Sequence, residues 1–200
     1  MKKLATAILA AVMMLSLQFI QSKENRIYAE TLDHVQIYTV QKGDSLFKIG
    51  VKHGVSELEL KKGNYLKSNT IHPGQKLILP KTITNSEKDL LTRLVHAEAK
   101  GEPHAGKVAV ALVVLNRVDD KRFPDDIKNV IYQKRQFQPV DNGAINEPAD
   151  NDSKKAVMEA LALKGQGDQS VFFFNPDETS STWLRSRTVT TVIGNHRFAK

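Results

Sequence analysis

A glutamate near the end of a predicted helix is the residue in this sequence best suited to acid–base chemistry. In the stretch 90–102, LLTRLVHAEAKGE, apolar residues recur at helical spacing and form one stripe. Glu98 lies three residues beyond Val95 and four beyond Leu94, so it projects from the edge of that stripe. A carboxyl group held against apolar neighbours resists ionisation and stays protonated near neutrality. Glu98 is therefore a candidate general acid. The alternatives are an ordinary solvated glutamate at this position, or Glu102 as the working acid.

The helix that carries Glu98 has recognisable ends. Ser86 is the expected N-cap, and Asp89 in the first turn complements the helix dipole. Gly101 and Pro103 mark the end of the helix. The sequence thus predicts that Glu98 occupies the last turn.

The segments that follow predict a mainly helical domain with a small β portion. Residues 106–118 are apolar on all sides, which indicates a buried central helix, although their valines also suit a strand. A short helical pattern runs to residue 131, and residues 132–151 resemble a long loop with an Asn142-Gly143 turn. Residues 153–163 predict another helix, and residues 171–174 and 188–193 predict strands.

Composition limits the class of protein. The chain has 200 residues, a net charge of +7 and 40% hydrophobic residues, enough for a small module joined to a moderate domain. The charge favours a polyanionic neighbour, but the basic residues are scattered and no nucleic-acid recognition motif appears. Cysteine is absent, which excludes disulfides and thiolate metal sites.

The N-terminus predicts export. Lys2 and Lys3 precede an apolar run over residues 4–20, and Ala29 is the expected cleavage position, so residues 1–29 form a predicted signal peptide. An uncleaved membrane anchor is the alternative. In both cases the rest of the chain faces the outside, and cleavage leaves no stable membrane insertion.

Residues 38–80 predict a compact strand–helix–helix–strand unit. The unit contains Tyr38, Val40, Gly43, Asp44, Ser45, Leu46, Ile49, Asn64 and the closing stretch 73–80, PGQKLILP. With these residues it resembles a LysM domain. The resemblance implies binding of N-acetylglucosamine-containing glycans through two predicted glycan loops, residues 43–46 with Gly43, Asp44 and Ser45, and residues 64–71 with Asn64. Turn formation is the alternative role of Gly43 and Asp44. Gly50 departs from the alanine that is common in this family. Residues 81–87 form a predicted polar linker, which joins the module to the next domain and raises the local concentration of that domain at the wall.

Residues 88–200 contain an ordered set of motifs: HAEAKGEP at 96–103, VLNRV at 114–118, Phe123-Pro124, VIY at 130–132, Gln136-Phe137, FNP at 174–176, Trp183 and IGNHRF at 193–198. With these motifs the segment resembles the catalytic domain of the spore cortex-lytic, cell wall hydrolase family. The resemblance implies an α+β chain in which the LysM module precedes a lysozyme-like domain. It also implies cleavage of peptidoglycan glycan strands at muramoyl–glucosaminyl bonds, in the wall or the spore cortex.

The same resemblance implies that Glu98 corresponds to the family's proposed catalytic acid. Among the other polar groups of the domain, Tyr132, Gln136 and Asn175 are suited to position substrate. Glu102 and Phe137 are further substrate-binding candidates, although Tyr132 and Phe137 equally suit core packing. The pair Gln138-Pro139 stands where small residues are expected, one of them carrying a hydroxyl, which places one substrate contact in doubt.

The predicted enzyme is a lytic transglycosylase, in which one acid, Glu98, protonates the leaving glycosidic oxygen and then accepts a proton from the muramoyl 6-hydroxyl. Three other functions compete with this prediction. A hydrolytic muramidase needs a second carboxylate, for which Asp141, Glu147, Asp150 and Asp152 are available. A zinc amidase would use His96, His104 and His196, but their spacing matches no zinc motif, so no metal or cofactor is expected. A wall-binding or spore-coat protein without activity is the third alternative. Peptidoglycan is the expected partner, and the sequence identifies no protein partner.

Overall fold

The computed structural model describes residues 36–200, so the predicted signal segment, residues 1–29, lies outside the described residues. The first elements are strand β1 (Gln36–Thr39), helix α1 (Leu46–His53), helix α2 (Glu57–Gly63) and strand β2 (Lys76–Leu79). Strands β1 and β2 form a two-stranded sheet. The predicted strand–helix–helix–strand order is confirmed.

Local signals determine where these elements begin and end. The Ser45 and Ser56 side chains cap α1 and α2 by accepting hydrogen bonds from Lys48 N and Glu59 N. Gly54 ends α1 in the left-handed region, at φ +66°. Apolar side chains from both helices and from β2 form a small core, which contains Leu46, Ile49, Leu60 and Leu77.

The rest of the chain is mainly helical. Its helices are α3 (Asn85–Glu98), α4 (His104–Asp119), α5 (Ile127–Ile131), α6 (Gln138–Asp141), a 3₁₀ turn (Ala144–Asn146), α7 (Asn151–Leu163) and α8 (Thr182–Arg185). Strands β3 (Phe172–Phe174), β4 (Val189–Ile193) and β5 (His196–Ala199) form an antiparallel sheet in the order β3-β5-β4. The α+β prediction is confirmed. The predicted loop 132–151 contains two short helical segments, and β5 was not predicted.

Helix α4 lies at the centre of this core and packs against α3 and α7. Val110, Ala111 and Val114 on α4 are completely buried, which explains why the segment is apolar on every side. The structure confirms the predicted helix. Packing in the core outweighs the strand preference of its valines.

Helix α3 begins earlier than its sequence suggested. Thr84, rather than Ser86, is the N-cap, because the Thr84 and Glu87 side chains each accept a hydrogen bond from the other residue's backbone N–H. The predicted linker 81–87 is correspondingly shortened, since residues 85–87 are helical and Ile83 packs against the core. Within residues 36–200, no helix combines the length and apolar character needed to cross a membrane.

Candidate active site

Glu98, the last residue of α3, opens onto a cleft of about 470 Å³. We call it the Glu98 cleft, and its walls come from α3, α4, α6, the 3₁₀ turn, β3 with the segment after it, and β5. The lining residues are Ala97, Glu98, Arg117, Gln136, Gln138, Pro139, Asn142, Ala144, Phe173, Phe174, Asn175, Glu178, Thr179 and His196. A second cavity of about 310 Å³ has mainly apolar walls and contains none of the predicted site residues.

Glu98 has the protonation behaviour expected of a general acid. Burial raises the pKa of its carboxyl from 4.5 to about 7, and this effect exceeds two opposing ones. The nearby backbone N–H of Gln138 and the positive charge of Arg117 both favour the ionised form and lower the pKa. A carboxyl with a pKa near neutrality can both give and take a proton at physiological pH.

Arg117 is an important site residue whose contacts the sequence did not reveal. Its side chain is buried, and Nε donates to the carbonyl of Val171 at 2.7 Å while Nη1 donates to Gln136 Oε1 at 3.2 Å. The guanidinium lies 5.0, 5.1 and 5.8 Å from the ring centres of Phe123, Phe137 and Phe172. Burial lowers the pKa of Arg117 to about 10, so it remains charged at neutral pH.

We expect Arg117→Met to move the alkaline limb of the pH–rate profile to higher pH. The substitution removes the positive charge that favours ionised Glu98, so the pKa of this carboxyl rises further above its value of about 7. The measurement is kcat/KM for glycan cleavage as a function of pH, because this parameter reports ionisations of the free enzyme.

Two variants serve as controls for that shift. Arg117→Lys keeps the charge and is expected to hold the limb near its original pH, even though it cannot reproduce both hydrogen bonds. Arg122→Met removes an exposed arginine that pairs with Asp120, and should leave the profile unchanged. An unchanged limb in Arg117→Met would exclude electrostatic coupling to Glu98.

The structure brings some of the predicted substrate-binding residues into the cleft and leaves others outside it. Gln136 and Asn175 line the cleft. Phe137 is buried beneath it, stacked on Phe173 with ring centres 6.4 Å apart, as the packing alternative anticipated. Tyr132 follows α5, is 45% exposed and is not among the lining residues. Glu102 is likewise outside the cleft, where its Oε2 accepts a hydrogen bond from Asn195 N at 3.0 Å.

The unusual pair Gln138-Pro139 lies at the start of α6, and both residues line the cleft. The contact between Gln138 and Glu98 uses the backbone N–H, which every residue except proline provides. Pro139 occupies the first turn of the helix, where its missing N–H has no intrahelical partner to lose. The departure from small residues therefore preserves this backbone interaction with Glu98.

The carboxylates predicted as alternatives for a second catalytic group do not line the cleft. Asp150 caps α7 by accepting a hydrogen bond from Ser153 N, which holds the pKa of Asp150 at about 2. Asp152 pairs with Lys107 at 2.9 Å and with His104 at 2.7 Å. The second carboxylate that does line the cleft is Glu178, an exposed residue of the turn after β3. Glu178 was not predicted from the sequence, because nothing local distinguishes it from a surface charge.

The three histidines of this domain occupy separate environments. His96 Nδ1 lies 3.3 Å from Asp150 Oδ2. The two ring nitrogens of His104 contact the carboxylates of Asp152 and Glu159. His196 lines the Glu98 cleft, where burial lowers its pKa and keeps the ring neutral at neutral pH. Within residues 36–200, no group of three His, Cys, Asp or Glu side chains could hold a metal ion.

In the LysM module, the four predicted glycan-binding residues also maintain the local structure. Asp44 Oδ2 accepts hydrogen bonds from Tyr38 Oη and Gln41 N, and Gly43 has φ +88°. Ser45 caps α1. The amide group of Asn64 connects the end of α2 to both backbone polar atoms of Ile78 in β2. These contacts support the alternative of turn formation, while sugar binding by these residues stays a prediction.

Comparison with known proteins identifies both parts of the chain. A family model described as Cell Wall Hydrolase matches residues 101–199, and a LysM domain model matches residues 38–80. Glu98 lies just before the first of these matches. The catalytic domain of a germination-specific lytic transglycosylase, SleB from Bacillus anthracis, superposes with a TM-score of 0.56 at 35% identity. That superposition covers 61% of this chain and 100% of that structure.

The curated relatives also carry the names of cortex-lytic or cell wall hydrolase proteins. The spore cortex-lytic enzyme of Halalkalibacterium halodurans is 36% identical over 120 residues, which is 60% of this chain and 36% of that protein. The cell wall hydrolase CwlJ of Bacillus subtilis is 35% identical over 101 residues, 46% of this chain and 70% of CwlJ. The chain thus spans less than half the length of the spore cortex-lytic enzymes that it matches.

Proposed function

The chain belongs to the cell wall hydrolase family, and from this membership and the environment of Glu98 we propose that it cleaves peptidoglycan glycan strands at muramoyl–glucosaminyl bonds. The observation that carries the proposal is a carboxyl with a pKa of about 7 in a cleft large enough for a ligand. The LysM domain and the net charge of +7 support an extracellular substrate such as the wall or the spore cortex.

The first chemical step uses protonated Glu98 as a general acid. The carboxyl gives its proton to the oxygen that links muramic acid to the following glucosamine, and the bond from muramoyl C1 to that oxygen breaks. Glu98 becomes a carboxylate, and the positive charge of buried Arg117 stabilises this ionised form. Gln136 and Asn175 line the cleft and are the groups proposed to position the sugars.

The second step returns the proton to Glu98. The 6-hydroxyl of the muramoyl residue attacks C1, a new C1–O6 bond closes the anhydro ring, and the hydroxyl proton passes to the Glu98 carboxylate. The acid is regenerated without water, a metal ion or a second carboxylate. This lytic route accords with a cleft in which Glu98 is the carboxyl whose pKa lies near neutrality. The similarity to SleB from Bacillus anthracis, a lytic transglycosylase, supports the same route.

Hydrolysis by a muramidase is the second candidate, and Glu178 favours it. A hydrolytic mechanism requires a second carboxylate that activates water or forms a covalent intermediate. Glu178 lines the same cleft as Glu98, whereas Asp141 and Asp150 do not. The two routes therefore make opposite predictions for Glu178→Gln.

We expect digestion of purified peptidoglycan to release products that end in 1,6-anhydromuramic acid. Mass spectrometry identifies these ends because they are lighter than reducing ends by one water and resist borohydride reduction. Product formation should be undiminished in EDTA, since the proposed chemistry uses no metal. Cortex and vegetative peptidoglycan are compared in parallel to determine which substrate is preferred.

Glu178→Gln is the discriminating variant. The lytic route predicts that this variant forms anhydro ends at a rate close to that of the unmodified protein. Reducing muramic acid ends that disappear in Glu178→Gln would establish a hydrolase instead. Stem peptides released only without EDTA would indicate an amidase, and binding without any product would indicate a wall-binding or coat protein.

A further inference from the structure

The LysM module packs against the catalytic domain through a face of α1 that lacks side chains. Gly50 lies against Ala162 of α7, and a Cβ at Gly50 would stand only 3.0 Å from the Ala162 Cβ. Gly54 is similarly covered, since a Cβ there would lie 3.2 Å from Met158 and 3.3 Å from Leu161. A Cβ at Gly50 would also come within 2.7 Å of Val55 O inside the LysM module, so glycine at this position, where the LysM family commonly has alanine, permits both the chain path after α1 and the close approach of the two domains.

Leu58 of α2 extends the same contact. A Cβ added at Gly165 would lie 3.2 Å from Leu58 Cδ1, so the leucine covers the backbone just beyond α7. Ala162 is completely buried, although it is not part of the catalytic core cluster. The LysM module thus covers apolar surface that the catalytic domain would otherwise expose to water.

Two hydrogen bonds join the modules at this contact. Ser56 Oγ, on a residue that is 4% exposed, donates to the carbonyl of Lys164 at 2.9 Å. Thr82 Oγ1, in the segment between the domains, donates to the carbonyl of Gly54. These partly buried bonds form only at a defined relative position of their partners, so they fix the orientation of the docked module, and water replaces each bond when the parts separate. The segment 81–84 is therefore part of the contact.

The contact and the predicted glycan loops lie at opposite ends of the two LysM helices. Gly50, Gly54 and Ser56 belong to the end of α1 and the start of α2. The predicted glycan loops, residues 43–46 and 64–71, lie at the start of α1 and beyond the end of α2. An eight-residue helix is about 12 Å long, so the docked module presents these loops away from the catalytic surface.

We propose that the LysM module is permanently docked on α7 and forms one rigid body with the catalytic domain. Its partner surface is the end of α7 at Ala162 with the backbone of residues 164–165 that follows, and its glycan loops are held at a fixed position relative to the Glu98 cleft. The module then acts as a fixed extension of the substrate-binding surface. A flexible tether would only raise the local concentration of the enzyme at the wall.

The test measures the distance between the domains in the full chain. Because the sequence has no cysteine, Lys62→Cys in α2 and Lys128→Cys in α5, both exposed, accept spin labels at defined positions. Pulsed electron paramagnetic resonance should give one narrow distance distribution. A broad distribution in the otherwise unmodified chain would overturn the proposal.

Two substitutions are expected to broaden that distribution. Ala162→Leu inserts a larger side chain against Gly50, and Leu58→Asp places a charge over Gly165. Leu58 is 45% exposed and outside the LysM core, and an aspartate in the first turn of α2 suits the helix dipole, so this variant keeps the module folded. Ala105→Leu, an equal enlargement at an exposed position of α4, is the control and should leave the distribution narrow.

The functional consequence rests on the proposed glycan cleavage and is measured separately. On insoluble peptidoglycan, Leu58→Asp is expected to lose about tenfold in rate, while cleavage of short soluble glycans stays unchanged. Equal losses on both substrates would contradict the extended-surface role. If the protein cleaved neither substrate, the proposed function would fail, and the distance measurement would still decide whether the module is docked.

Discussion

Replacing Glu98 with glutamine is expected to reduce glycan cleavage by about a hundredfold or more. An amide has nearly the shape of the carboxyl but supplies no proton to the leaving glycosidic oxygen. Because Glu98 lies at the end of α3, after the buried residues of that helix, the substitution leaves the core intact. The measurement is the initial rate of release of glycan fragments from peptidoglycan.

The same substitution is expected to stabilise the protein above neutral pH. The pKa of Glu98 is raised from 4.5 to about 7 in the folded state, so between these pH values the folded chain holds a proton that the unfolded chain releases. The contribution of this carboxyl to the free energy of unfolding is therefore fully present below pH 4.5, and it is lost as the pH rises towards 7. At 1.36 kcal/mol per pKa unit, the loss is at most about 3 kcal/mol, and a neutral glutamine avoids it.

Thermal unfolding at pH 4 and pH 8 therefore separates catalysis from folding. Glu98→Gln should melt at a higher temperature than the unmodified protein at pH 8, and at nearly the same temperature at pH 4. Glu147→Gln changes an exposed glutamate outside the cleft and should alter neither rate nor stability. Full activity in Glu98→Gln would remove the acid from the mechanism. A lower melting temperature at both pH values would instead attribute the loss of activity to unfolding.

The parts of the structure that were predictable depend on local signals. Ser45 and Ser56 cap helices by contacts three residues away, and the turn residues of the LysM module lie beside the elements that they end. The position of Glu98 followed from the apolar stripe of α3, because helical geometry relates neighbouring turns without further information. Such features need no knowledge of how distant segments meet.

The environment of Glu98 depends on distant segments, and the sequence did not reveal it. Arg117 lies on α4, but the three rings around its guanidinium come from residues 123, 137 and 172. The VLNRV motif includes this arginine, but it does not indicate which residues contact the guanidinium. The docking of the LysM module was hidden for the same reason, since Gly50 alone suggests only a weaker helix.

Glu102 and Glu178 are two polar residues whose roles only the tertiary structure distinguishes. Both are surface-type glutamates in the sequence, and Glu102 was favoured because it is close to Glu98 in a shared motif. In the structure Glu178 lines the cleft, while Glu102 accepts a hydrogen bond from the turn between β4 and β5. Glu102 therefore supports β5, the strand that carries His196 into the cleft wall.

The turn next to Glu102 gives the second large expected effect, a loss of stability of about 2–3 kcal/mol in Gly194→Ala. Gly194 and Asn195 form a two-residue connection between β4 and β5, and Gly194 has φ +57°, which alanine adopts only with strain. An added Cβ would also overlap Glu102 Oε2 and approach Pro103 Cδ to 2.9 Å. Displacing the Glu102 carboxylate removes its hydrogen bond to Asn195 N.

Chemical denaturation of a double-mutant cycle separates these contributions. In a Glu102→Ala background the overlap with the carboxylate is absent, so Gly194→Ala should cost only the strain of positive φ and the crowding at Pro103. Gly101→Ala is the matched control, because a Cβ there meets nothing within 4 Å and φ is not positive. If Gly194→Ala lowers the free energy of unfolding equally in both backgrounds, Glu102 does not constrain the turn. Equal activity of Glu102→Gln and the unmodified protein would agree with a structural role for Glu102, because this variant keeps an oxygen to accept from Asn195 N.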